Sequence, residues 1–60
     1  MYTVKQIRVG LGYSQDQMAK AIGIHPNTYR NKESQRTQWT VKEAAKIAKL
    51  AGQPMEAINF

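Results

Sequence analysis

Ser14-Gln15-Asp16-Gln17-Met18-Ala19-Lys20-Ala21-Ile22-Gly23-Ile24-His25-Pro26-Asn27-Thr28-Tyr29-Arg30-Asn31-Lys32-Glu33-Ser34 is the stretch that decides how this chain folds. Ser14 suits a helix N-cap, because its hydroxyl can accept from an amide one turn ahead. Met18, Ala19 and Ile22 share one face at helical spacing. Gly23 is placed to end that helix in a left-handed conformation, and Ile24 plugs the corner. Pro26 opens a second helix, where a missing amide hydrogen loses no needed bond. Ala19 sits where a larger side chain would hold that second helix away, and Tyr29 faces back to the core. The spacing predicts two short helices packed steeply around a tight turn, a helix-turn-helix unit over about residues 15–34.

The same signals extend outward in both directions. Thr3 with Gln6, and Thr40 with Glu43, match the reciprocal capping box. Tyr2–Ile7, Tyr13–Met18 and Trp39–Ala44 fit the apolar staple that flanks such a cap. Gly12 and Gly52 supply further helix stops, and Pro54 a further start. Helices are expected at about 3–10, 14–22, 26–33, 40–50 and 54–59. No run of alternating β-branched residues exists, so no strand is expected. The apolar faces are Val4, Ile7 and Leu11 on the first helix and Val41, Ala44, Ile47 and Ala48 on the fourth, with Met55 and Ile58 on the last.

Sixty residues make one small domain, here taken as 1–60. With no cysteine and one histidine, neither disulfides nor a metal-ligand cluster is available. Nine Lys or Arg against four Asp or Glu leave a net charge of +5, which favours a polyanion: nucleic acid or an anionic membrane surface. Glycines at 10, 12 and 23 and Pro26 break any long amphipathic helix, and no apolar run approaches a membrane span. A cytoplasmic protein is expected, with no cofactor, no metal and no small-molecule substrate. Without a nucleophile–base pair, an enzyme is not expected.

Arg8-Val9-Gly10-Leu11-Gly12-Tyr13-Ser14-Gln15, followed by Met18-Ala19, resembles the opening of the lambda-repressor-like family of phage repressors, Cro proteins and related bacterial regulators. Thr28-Tyr29-Arg30-Asn31-Lys32-Glu33 resembles that family's recognition helix and the acidic residue ending it. The resemblance covers nearly the whole chain and implies an all-α fold, a compact bundle of five helices. Three positions depart from it. Lys32 stands where an apolar or aromatic residue is usual, and its stem is expected on the core with the ammonium in solvent. Gln35 stands where glycine is common, and Trp39 where proline is common.

On a helical wheel Asn27, Arg30, Asn31 and Ser34 fall within about 100° of arc, opposite Tyr29. Arginine can read guanine and asparagine adenine, each through two hydrogen bonds. Asn27, Arg30 and Asn31 are therefore the candidate base contacts, with His25 and Pro26 beside them at the helix start; a plain solvated face is the alternative. Gln15, Ser34, Arg36 and Thr37 are the candidate phosphate contacts, Gln15 because it lies at a helix start. In relatives the arginine of the first helix pairs with the glutamate ending the third, so the resemblance gives Arg8 and Glu33 a structural salt bridge. It further implies a sequence-specific transcriptional regulator, a phage- or prophage-type repressor on a double-stranded DNA operator, binding as a homodimer. Met55, Ile58 and Phe60 are the candidate dimer contact, with ordinary core and a frayed tail as the alternative. An antitoxin-like protein-interaction module with the same fold is the alternative.

Overall fold

The computed structural model describes all 60 residues. It contains four α-helices: α1 (Val4–Leu11), α2 (Gln15–Ile22), α3 (Pro26–Glu33) and α4 (Val41–Ala51). The two expected capping boxes form, and the Ser14 cap closes a third with Gln17. Thr3, Ser14 and Thr40 accept from the backbone amides of Gln6, Gln17 and Glu43, whose side chains accept in return from the cap amides. Each helix therefore begins one residue after its cap. Gly12, Gly23 and Gly52 close α1, α2 and α4 at φ of 75°, 76° and 65°, and each gives its amide hydrogen to carbonyls of the last turn.

The expected fifth helix is absent. Met55–Ala57 make one 3₁₀ turn, and Ile58–Asn59 then extend to pair in parallel with Tyr2–Thr3. Pro54 starts the turn, and the backbone becomes extended again at Ile58. The extended backbone ahead of the Thr3 cap offers Ile58 and Asn59 a ready edge instead. These two strands, β1 (Tyr2–Thr3) and β2 (Ile58–Asn59), also correct the expectation of no strand. Two residues cannot display a period.

Val4, Ile7, Met18, Ala19, Ile22, Tyr29, Ile47, Ala48 and Ile58 form one core, with Tyr13, Ile24, Trp39, Ala51 and Phe60 packed on its margin. α2 and α3 make the largest interhelical contact, joined by Gly23, Ile24 and His25. Three expected core residues lie outside: Leu11 and Met55 at the rim, and Val41, 78% exposed in the first turn of α4. Ile58 is buried in the core and Phe60 packs against it, so of the suggested dimer contact only Met55 stays exposed. No helix is long and apolar enough to cross a membrane.

Candidate nucleic-acid interface

α3 starts where His25 Nδ1 accepts from the Asn27 amide at 3.1 Å, with Pro26 in the first turn. His25 is thus the N-cap of the helix through Nδ1, and the residue stays exposed beside the start of α3. Tyr29 is fully buried on the inner side. Asn27, Arg30, Asn31 and Ser34 consequently stand on the outer side, and all four are exposed. Together with Gln15 and Arg36 they line an open depression of about 480 Å³ that contains no apolar side chain.

The chain after α3 is folded back onto this surface. Gln35 takes φ 65°, the left-handed conformation that L-residues disfavour. The Arg36 amide then donates to the Asn31 carbonyl at 2.9 Å, and the Thr37 amide to the same oxygen at 3.4 Å. The Ser34 hydroxyl donates to that carbonyl as well, at 3.1 Å. Arg36 is held beside the end of α3, while Thr37 lies outside the depression.

Two ion pairs anchor α3 from behind. Arg8 Nε donates to Glu33 Oε2 at 2.9 Å and an Nη donates to Oε1 at 3.3 Å, while its other Nη holds the Tyr13 carbonyl at 2.9 Å. The two side chains are 13% and 6% exposed. The Tyr29 hydroxyl also donates to Glu33, as does the Gln15 side-chain amide at 3.1 Å. Burial alone would raise the Glu33 carboxyl, but the hydrogen bonds from Arg8, Tyr29 and Gln15 outweigh it and hold the group below its ordinary value. Burial, together with the bond to Glu33, pushes the Tyr29 hydroxyl well up. Gln15 therefore braces α2 against the end of α3, besides lining the depression.

The second anchor differs from expectation. The Lys32 ammonium does not reach solvent; it is buried against Glu43 of α4, 6.0 Å from the centre of the Trp39 ring. Trp39 in turn meets Tyr29 edge-on, with ring centres 5.6 Å apart at 65°. Lys32 is long enough to pass the core with its stem, and a carboxylate at the α4 start captures its charge before water does. Glu43 is desolvated, which raises it, yet the bonds from Lys32 and from Thr40 hold it low.

A third pair lies on the interface itself and has no counterpart in the sequence reading. Arg30 Nη1 donates to Asn27 Oδ1 at 2.9 Å, and Nη2 to Asp16 Oδ1 of α2 at 2.6 Å. Asp16 and Arg30 are fourteen residues apart, a separation with no periodicity to betray it. No group of three or more His, Cys, Asp or Glu side chains is placed to hold a metal ion.

The family model described as helix-turn-helix matches residues 4–58, which is nearly the whole chain. No curated protein and no solved structure matches the chain.

Proposed function

Because the chain belongs to the Cro/C1-type helix-turn-helix family, whose domains are DNA-binding and regulatory, we propose that it is a sequence-specific transcriptional regulator of the phage- or prophage-repressor type. It reads an operator by laying α3 in the major groove. One observation supports this above the others: the polar depression on the outer side of α3, lined by Gln15, Asn27, Arg30, Asn31, Ser34 and Arg36, stands opposite the buried Tyr29 on a rigidly anchored helix. Asn27, Asn31 and Arg30 read base edges, and Pro26 adds an apolar contact at the helix start. Gln15, Ser34, Arg36 and Thr37 hold the phosphates that fix the register. His25 caps the helix through Nδ1 and presents the rest of its exposed ring beside Pro26 as a further base contact.

The longest dimension of the chain is 25 Å. Half-sites one turn of DNA apart are separated by about 34 Å. Reading a two-fold operator therefore takes two copies. Repression follows from occupancy, as a dimer across a promoter excludes polymerase.

The test begins with selection of bound sequences from random DNA. Binding profiles of Asn27→Ala, Arg30→Ala and Asn31→Ala are then measured across all single-base variants of the selected site. Each substitution should cost about 1–3 kcal/mol of discrimination at one or two positions. Stability should stay within roughly 0.5 kcal/mol, as at exposed sites generally. Unaltered profiles in all three variants would show that α3 does not read sequence.

A further inference from the structure

Nine cationic side chains face four carboxylates in this molecule, and three of those carboxylates are spent in the pairs Arg8–Glu33, Lys32–Glu43 and Arg30–Asp16. The first two lie behind α3 and are nearly closed to solvent. The third is open: Arg30 is 45% and Asp16 66% exposed. It also occupies the one place where an acid is least welcome, beside Gln15 on the rim of a surface that meets phosphates. Of the cations left without a partner, only Arg36 lines the depression. Asp16 thus neutralises half of the cationic charge there.

The geometry points to Asp16 as the residue that makes Arg30 a base reader and keeps it off the phosphates, an inference resting on the function proposed above. A guanidinium carries five N–H donors. In this arrangement one Nη1 hydrogen goes to Asn27 and one Nη2 hydrogen to Asp16, so three donors stay available. Two parallel bonds to the acceptor edge of a guanine need only two of these, so base reading does not require the carboxylate to leave. A swing to a phosphate is another matter. It would strip Asp16 of its partner and leave a bare carboxylate among phosphate charges. Asp16 therefore penalises the sequence-independent mode and leaves the base-reading mode open. Asn27 fixes the same guanidinium from within α3, so the arginine is held between the two helices of the motif.

Asp16→Asn keeps the shape of the side chain and removes its charge. A freed Arg30 gains a phosphate contact, and each such contact adds about 0.9 to the slope of log affinity against log salt. At roughly 0.15 M salt that slope amounts to about fivefold tighter binding to DNA of unrelated sequence. Affinity for the selected site should rise less, so the ratio of specific to non-specific binding falls. The same substitution placed in an Arg30→Ala chain relieves only a bare carboxylate, so the slope and the ratio should change clearly less there than in the unmodified chain. Thermal unfolding of each variant verifies that the folded domain is what is being compared.

Equal changes in both backgrounds would show that Asp16 acts as a bare negative charge and not through Arg30, which overturns the inference. Unchanged slope and ratio in Asp16→Asn, with the unmodified chain still preferring its selected site, would overturn it alone. An unmodified chain that binds no DNA at any salt concentration would overturn the regulator reading, and the inference with it.

Discussion

Glu33 is the side chain on which most depends. It is almost closed to solvent and collects donors from three elements: Arg8 of α1, Gln15 of α2 and Tyr29 one turn back on α3. Breaking a buried pair by removing one partner typically costs 3–5 kcal/mol, because the other charge is stranded. Arg8→Ala should fall at the lower end, about 3 kcal/mol, since Tyr29 and Gln15 still solvate the carboxylate. Urea unfolding measures it, and a loss under about 1 kcal/mol would mean that water reaches the pair. The pair itself was legible through family resemblance. Gln15 as a third partner was not, because nothing in a sequence distinguishes an amide aimed at phosphate from one aimed at a neighbouring helix. Gln35 offers the opposite case, a residue that works against the fold. A side chain in the left-handed region costs about 1–2 kcal/mol, while glycine loses roughly 0.5–1 kcal/mol of extra chain entropy on folding. Gln35→Gly should therefore raise stability by about 0.5–1 kcal/mol. A drop would show that the Gln35 side chain makes contacts worth more than its strain.

At the level of elements, helix starts and stops were the most legible features, because a cap is a short-range bargain between residues three apart. Thr3, Ser14 and Thr40 with their partners, and the three closing glycines, needed no tertiary information. The segment after Pro54 failed for the complementary reason. Its choice between a helix and β2 is settled by Tyr2–Thr3, more than fifty residues away in sequence. Glu43 shows how one side chain can serve both ranges. It closes the α4 capping box, yet α1 and α2 close theirs with the neutral Gln6 and Gln17. The charge of Glu43 is thus not needed for capping; it answers Lys32. Lys32→Met and Glu43→Gln should each destabilise, by about 1–3 kcal/mol, as each leaves a poorly solvated group unpaired. Combined, they should recover most of the loss, because methionine suits the buried position beside Trp39 and glutamine preserves the box, as Gln6 and Gln17 do in α1 and α2. A double-mutant cycle measures the coupling. Additive losses would mean that the two side chains do not act together.

For the whole molecule, the consecutive residues Lys32 and Glu33 tie the end of α3 to α4 and α1 through pairs of opposite polarity. α3 is therefore positioned by two carboxylates, Glu43 and Glu33, that lie on different elements and are both held below their ordinary value of 4.5. The sign of the consequence follows from proton binding. Between the folded and the ordinary value the unfolded chain binds the more protons, so stability rises with pH there. The contribution is complete above about pH 5 and is lost as pH falls through the folded values. Acid should thus lower the urea midpoint progressively below about pH 4.5, and the loss should exceed what a domain with ordinary carboxylates would show. The combined Lys32→Met, Glu43→Gln chain supplies the control, since it keeps the fold but removes one of the two titrating groups. Its midpoint should fall less steeply over the same range, with Glu33 alone remaining. An acid limb as steep as that of the unmodified chain would show that Glu43 titrates as an ordinary surface acid, and that only Glu33 links α3 to proton concentration.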